Sequence, residues 1–184
     1  MTIKGYESNI RVISAYRPVH SLGPETVYAQ HERLLSKTNP NDPREDILTT
    51  LHSEIRNWIQ QGDHIILCMD ANDDVRQPRL RQFTQSLGMK DAILSQHSNP
   101  PATCDKNTQR QPIDAIWTTP GLTPVFSGYL PFHKGCPSDH RMLWIDLVQD
   151  TFLGHSTKLA IPKPRRLKAS DPRIVQKYIH LLLP

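Results

Sequence analysis

Hydrophobic residues recur along the chain with two different periods, which predict strands and helices in an interspersed order. Segments that are β-branched or continuously apolar predict strands. Such segments lie at 9–16, 64–69, 113–118, 125–130 and 142–147. The run at 64–69 (HIILCM) is continuously apolar, which is typical of a strand covered on both faces. The pattern therefore predicts an α/β fold.

The strongest helix signal begins after residue 42. Asp42 is a suitable N-cap, Pro43 suits the first helical position, and Gly62 can close the end. Apolar residues recur between them at helical spacing: Ile47, Leu48, Leu51, Ile55, Trp58 and Ile59. Further helices are predicted around 26–35, at 79–87 and after 170–172. The polar, turn-rich segment 98–111 is predicted to be a surface loop.

Length and composition indicate one soluble domain. A chain of 184 residues can bury a substantial core. Its apolar stretches are too short for a membrane span, and its first ten residues lack the apolar core of a signal peptide. Three widely spaced cysteines do not indicate a disulfide framework. These features predict an intracellular protein, nuclear or cytoplasmic.

Charge divides the chain into a body, 1–150, and a basic tail, 151–184. The tail contains seven Lys/Arg and one acidic residue, a net charge of +6. The body contains 15 Lys/Arg and 17 Asp/Glu, a net charge of −2. We expect the tail to be an extended linker followed by a short helix. Such a tail can bind a polyanion by neutralising phosphates, and a solvated linker is the open alternative.

Polar residues interrupt or flank three of the predicted strands, and together they match the needs of phosphodiester hydrolysis. That reaction needs a cation, a base for water and groups that hold the phosphoryl oxygens. Asp70 can orient or deprotonate water, and the amide of Asn72 can donate to a phosphate oxygen if the chain stays extended. Asp139 suits a hard cation such as Mg²⁺, and His140 can stabilise the phosphoryl group. Asp114, inside an apolar strand, is predicted to pair with His140.

Each of these residues also has a purely structural interpretation. Asp70 and Asn72 can form an Asx-type turn in which both side chains cap backbone amides. Asp139 and His140 can lie in a surface turn, and Asp114 can face water on the polar side of its strand. A zinc site is a further alternative, although its residues lack paired Cys spacing: His97, Cys104, His133 and Cys136.

Four short motifs occur in a fixed order: SAYRP at 14–18, DAN at 70–72, PIDAI at 112–116 and SDH at 138–140. In this order they resemble the endonuclease/exonuclease/phosphatase superfamily. That superfamily includes DNase I-like nucleases, apurinic-site endonucleases, inositol phosphatases and the endonuclease domains of non-LTR retroelements. The resemblance covers about residues 9–148. It implies part of a four-layered α/β sandwich, with two mostly antiparallel sheets packed face to face and flanked by helices.

The resemblance also implies a site, a cofactor and a substrate class. The catalytic residues would be Tyr16, Asp70, Asn72, Asp114 and His140, with Asp139 as the metal-associated carboxylate. The implied cofactor is Mg²⁺ or Mn²⁺, and the implied partner is nucleic acid, most simply DNA. The basic tail and a general likeness to retroelement-type endonucleases favour a nuclease over a small-molecule phosphatase.

One departure from the family pattern changes the expectation. The Asn and the principal metal-binding Glu of the family's first half have no counterpart here, and Glu7 is not at a strand end. The chain therefore resembles the carboxyl-terminal part of such a domain. Two competing hypotheses follow: a non-catalytic remnant that binds nucleic acid through its tail, and a product that does not fold stably because one sheet face is uncovered.

Overall fold

A computed structural model describes residues 1–5, 8–21, 23–36, 42–135, 137–148, 150 and 171–182. Within them the chain forms a mixed α/β fold, as predicted. The strands are β1 (Thr2–Lys4), β2 (Asn9–Tyr16), β3 (His64–Asp70), β4 (Lys90–Asp91), β5 (Asp114–Thr118), β6 (Phe126–Tyr129) and β7 (Leu143–Asp146). The helices are α1 (Val27–Leu35), α2 (Pro43–Gln60), α3 (Pro78–Ser86) and α4 (Pro172–Leu182).

The strands form two sheets. The larger has five strands in the order β1-β2-β3-β5-β4, and the smaller pairs β6 with β7. Only β2 and β3 run parallel, and the other named pairs are antiparallel. In the larger sheet, Tyr16 is in register with Asp70, and Asp70 is in register with Asp114. Three residues of the predicted site therefore lie side by side at one end of three adjacent strands.

Local sequence explains the longest helix. The side chain of Asp42 accepts the Arg44 N–H, and Pro43 occupies the first turn, where its missing N–H is not needed. Glu45 and Asp46 place negative charge at the positive end of the helix dipole. Gly62 follows the helix with a φ of +87°, which an L-residue rarely adopts.

Two hydrophobic cores lie on opposite faces of the larger sheet. One packs the sheet against α2 and α3 and is built around Leu48, Ile55, Leu67, Phe83 and Trp117. The other packs the sheet against β6 and β7 and is built around Ile10, Ile66, Ile116, Leu143 and Ile145. The described residues thus supply a helix layer and two sheets packed face to face, with the helices flanking the larger sheet.

The structure differs from the sequence prediction in three places. The short strands β1 and β4 were not predicted, because each is defined by pairing with a longer neighbour rather than by its own pattern. Segment 98–111 is not simply a surface loop, since Thr103 and Cys104 are buried. Thr103 is buried because its hydroxyl accepts the N–H groups of Ile113 and Asp114, at 2.9 and 3.1 Å.

The third difference concerns Asn72. The chain does not stay extended after Asp70, since Asn72 has a φ of +47°. Its N–H turns back to Asp70 Oδ1 at 3.0 Å, and asparagine tolerates this left-handed backbone better than most residues. Asn72 therefore sits on a tight turn rather than two residues further along a strand.

The basic tail is described only in its last part. The predicted linker at 151–170 lies outside the described residues, as do Glu7 and Cys136. Helix α4 is the helix predicted after 170–172 and leaves Ile174, Tyr178 and Ile179 exposed. Within the described residues, no helix combines the length and apolar character needed to cross a membrane.

Candidate active site

Alternation along the strands directs three polar side chains to one face of the larger sheet. On β3, Ile66 belongs to the core beneath β6 and β7 and Cys68 packs against it, and Asp70 continues that face at the strand end. On β5, Ile116 lies on the same face and Asp114 continues it. The carboxylates of Asp70 and Asp114 consequently lie at the edge of the second core, and both are partly exposed.

The third member of the site comes from the segment before β7. His140 Nδ1 lies 2.8 Å from Asp114 Oδ2, so the contact expected between these residues is present. Backbone pairing fixes the segment: His140 forms a β-bridge with Cys104, and the His140 N–H donates to Ser138 Oγ at 3.0 Å. One ligand atom from each of Asp70, Asp114 and His140 lies within 4.8 Å of the others, and we call these residues the Asp–Asp–His cluster.

Electrostatics give each member of the cluster a defined tendency. Burial raises the pKa of the Asp70 carboxyl, and the neighbouring charge of Asp114 raises it further. Burial lowers the pKa of His140, but the adjacent carboxylates, led by Asp114, outweigh it and leave that pKa above its usual value. Asp70 is therefore a stronger base than an ordinary carboxylate, and His140 holds a proton more tightly than an ordinary histidine.

The hydrogen bond between Asp114 and His140 also sets the state of the imidazole. An ionised carboxylate can only accept, so Nδ1 of His140 is the donor. The ring is thereby oriented with Nε2 as its remaining nitrogen for a ligand. This is the arrangement in which a carboxylate positions a histidine and stabilises its protonated form.

Asn72 is held against the end of β2. Its side-chain Nδ2 donates to the carbonyl of Arg17 at 2.8 Å, and its backbone N–H donates to Asp70 Oδ1. The Asp70 side chain thus forms the Asx-type turn, and the Asn72 amide bonds a backbone carbonyl just after β2. A primary amide has two N–H donors, so one bond to Arg17 leaves a second N–H for a ligand.

Asp139 and Tyr16 are placed differently from the cluster. Asp139 Oδ2 lies 3.0 Å from Lys106 Nζ, and this hydrogen bond lowers the pKa of the carboxyl. Among the described residues Asp139 groups with Cys104 and Asp105, as a second set of potential metal ligands. Tyr16 is 46% exposed, and its relation to the site is that it pairs with Asp70 on the neighbouring strand.

The histidines of the alternative zinc site do not come together within the described part of the chain. His97 Nε2 contacts the carbonyl of Ser127 at 2.8 Å, and His133 lies 3.9 Å from Asp105. Neither histidine belongs to the two groups of potential metal ligands found in the described ranges, and Cys136 lies outside them.

A buried arginine connects the segments that surround the site, and the sequence interpretation missed it. Arg17 is 4% exposed and donates to the carbonyls of Arg44 and Ala71 at 3.1 and 3.4 Å. Its guanidinium also lies 3.3 Å from Asp73, to which Arg44 also binds. Arg17 thus connects the end of β2, the loop after β3 and the start of α2. Its position directly after Tyr16 in the SAYRP motif was the available signal.

Thr103 was missed as well. Its buried hydroxyl fixes the backbone just before and at Asp114, which orients the carboxylate that holds His140. Threonine in a Pro-rich loop carries no periodic signal, so only the tertiary contact reveals this function.

Comparison with known proteins gives a likeness of fold. The chain is similar to the structure of an endonuclease/exonuclease/phosphatase family protein from Leptotrichia buccalis C-1013-b, with a TM-score of 0.44 and 18% sequence identity. The match covers 80% of this chain and 51% of that one, so the chain spans about half the length of the matched structure. No protein-family model and no curated protein matches the sequence.

Proposed function

We propose that this chain carries the catalytic face of a divalent-metal-dependent phosphodiesterase that cleaves nucleic acid. The observation that carries the proposal is the Asp–Asp–His cluster, in which a carboxylate of raised pKa lies beside a carboxylate-bound histidine. The four ordered motifs of the sequence and the basic composition of 151–184 support the same interpretation.

The donor set of the cluster suits a divalent cation. The two carboxylates lie close together, and the charge of Asp114 helps to raise the pKa of Asp70, so a cation between them would relieve that repulsion. Carboxylate oxygens are the ligands that Mg²⁺ and Mn²⁺ prefer. Asp70 and Asp114 would hold the ion, whereas Asp139 pairs with Lys106 and belongs to the second set of potential ligands. When bound, the cation would offset the negative charge of the phosphate.

The side chains of the cluster then divide the remaining work. Asp70 orients the attacking water and accepts its proton. His140, held by Asp114, donates from Nε2 to a phosphoryl oxygen and stabilises the charge that accumulates there. The second amide N–H of Asn72 holds another phosphoryl oxygen, and Tyr16 contacts the substrate from the adjacent strand.

Nicking of supercoiled plasmid by the 184-residue chain tests the proposal. We expect nicking that needs Mg²⁺ or Mn²⁺, stops with EDTA and falls by about 100-fold or more in His140→Ala, since positioned acids and bases contribute roughly 10²–10⁴-fold. His52→Ala is the matched control, because His52 lies on α2 in the helix layer and contacts Ser86. Equal activity of His140→Ala and His52→Ala would contradict the assigned role.

A second candidate function is metal-independent binding of nucleic acid by the tail. The charge of +6 over 151–184 favours it. It predicts a folded sample that does not nick, and that binds DNA with an affinity falling steeply as salt rises. Removal of 151–184 would then abolish binding, whereas binding that survives the removal would exclude this candidate.

A further inference from the structure

A polar groove adjoins the Asp–Asp–His cluster and is not needed for the roles assigned above. It encloses about 640 Å³, within the range of roughly 300–1,000 Å³ typical of ligand sites. Asn72 and Cys104 form part of its wall. The Asn72 N–H donates to Asp70 Oδ1, and Cys104 forms a β-bridge with His140, so the groove adjoins two members of the cluster.

We propose that this groove binds an unstacked nucleotide next to the scissile phosphate, with its base stacked on His20. The inference rests on the proposed function, and it specifies the substrate as single-stranded or locally unpaired nucleic acid. A base can present its face and its edges to a protein only when it has left the helical stack.

His20 is built as a stacking surface. It is exposed and lines the groove. Its ring lies 4.8 Å from the ring of Tyr28 between centroids, with an interplanar angle of 56°, and Tyr28 is only 6% exposed. A buried aromatic ring therefore contacts the exposed imidazole and helps to hold it in place. Stacking of bases on such rings is the usual way in which proteins hold single strands without reading sequence.

A second part of the groove lining is a loop rich in amides. Asn107 Oδ1 accepts the N–H of Gln109 at 3.0 Å, and the Asn107 carbonyl accepts the N–H of Arg110 at 3.0 Å. These bonds hold the loop in a tight turn in which Arg110 has a φ of +52°. Gln109 and Gln111 line the groove. Amides both donate and accept, as the edges of nucleobases do.

The charges in the groove favour a base over a compact polyanion. Arg44 pairs with Asp73 at 3.3 Å, and Lys106 pairs with Asp139 at 3.0 Å. Lys106 therefore has its own carboxylate partner and Arg44 shares Asp73 with Arg17, whereas an inositol polyphosphate needs several uncompensated cations. One phosphate of a nucleic-acid strand can share Lys106 at the exposed rim.

Binding of a short fluorescein-labelled oligothymidylate in EDTA, measured by anisotropy at fixed salt, tests the inference. We expect His20→Ala to weaken binding by about tenfold, in line with the loss of one stacked base. His20→Phe should restore most of it, because a phenyl ring stacks without the imidazole nitrogens. His52→Ala is the matched control. Equal binding by His20→Ala and the unmodified chain would overturn the inference.

An abasic oligomer with the same number of phosphates separates the groove from the basic tail. We expect it to bind more weakly than the oligothymidylate and to be indifferent to His20→Ala. If both oligomers bind equally, the phosphates alone determine affinity and the groove inference is wrong. Competition gives a second check. If inositol hexakisphosphate displaces the labelled oligothymidylate as effectively as unlabelled oligothymidylate does, the groove inference is also wrong.

The two proposals fail in distinguishable ways. Oligonucleotide binding in EDTA that depends on His20, without nicking in Mg²⁺, supports the groove and rejects the catalytic function. Metal-dependent nicking that depends on His140, with binding that does not depend on His20, supports the function and rejects the groove.

Discussion

The two faces of the five-stranded sheet differ in how completely they are covered. On the helix side, Leu67 of β3 is 0% exposed and Trp117 of β5 is 2% exposed. On the side of β6 and β7, Cys68 and Val12 are only partly buried and Tyr16 is 46% exposed. The same strands contribute to both faces by simple alternation. Ionisable groups accumulate at the strand ends of the less covered face, where carboxylates keep contact with water.

The close-packed apolar core and the ionisable cluster therefore lie on opposite sides of one sheet. The helix-covered face supplies close-packed apolar contacts, and the opposite face carries the Asp–Asp–His cluster at its edge. Substitutions on the first face should change the free energy of unfolding, and substitutions at the end of the second should change activity.

The largest difference between the faces should appear on truncating leucines. We expect Leu67→Ala to lower the free energy of unfolding by about 3–5 kcal/mol, because it leaves a cavity among close-packed side chains. Leu143→Ala, its counterpart on β7, should cost about 1–2 kcal/mol, because Leu143 is only partly buried. Urea denaturation measures both. Equal costs would show that the two faces contribute alike.

The next effect should come from Arg17, which joins the site to the helix layer. Arg17→Met should lower the free energy of unfolding by about 2 kcal/mol, since buried carbonyls and Asp73 lose their donor. Part of the cost is regained because the Asp73 side chain is 39% exposed and can bind water. Arg33→Met is the matched control, an exposed arginine that also donates to two carbonyls, and should cost about 0.5 kcal/mol or less. A similar loss in both variants would contradict the supporting role of Arg17.

The smallest effect on stability should come from Asp70, where a substitution should stabilise the folded chain rather than destabilise it. Burial and the charge of Asp114 raise its pKa, so ionised Asp70 destabilises the folded chain when metal is absent. Asp70→Asn keeps an oxygen to accept the Asn72 N–H and removes the charge. We expect a higher thermal midpoint in EDTA at neutral pH, together with a loss of nicking of about 100-fold or more.

The pH dependence of this gain follows from the direction of the shift. A raised carboxyl pKa means that the folded chain retains the proton to higher pH than the unfolded chain does. The advantage of Asp70→Asn should therefore vanish near and below the ordinary carboxyl pKa of about 3.9, and should be complete above the raised pKa of the folded state. Asp146→Asn, on the exposed side of β7, is the control. A gain that does not change with pH would show that charge is not its cause.

Most of the regular structure could be predicted because its signals are local. Asp42 and Pro43 define the start of α2, and the apolar spacing that follows defines its buried face. The run that became β3 was recognisable from six residues, since an uninterrupted apolar segment of that length suits a buried strand. The strands β1 and β4 were missed because two or three residues carry too little pattern.

The candidate site was predictable only in part. Asp70, Asn72, Asp114, Asp139 and His140 could be selected from their strand contexts and from the order of their motifs, and their catalytic roles remain predictions. The turn at Asn72 was one of two interpretations that the sequence allowed, whereas the burial of Arg17 and the contact of the Thr103 hydroxyl with the Asp114 N–H could not be foreseen. Each depends on a hydrogen bond, and the folded positions of the donor and the acceptor are set by a turn or by the packing of distant segments.

Periodicity and residue type are local properties, so they were enough to predict most helices and strands and the side chains suited to chemistry. Which of those side chains meet depends on strand pairing between distant segments. Asp70, Asp114 and His140 come together because β3 pairs with β5 in one register and the segment before β7 pairs with Cys104. A shift of one residue in the first pairing would move Asp114 away from Asp70 across the sheet, since alternate residues face opposite sides.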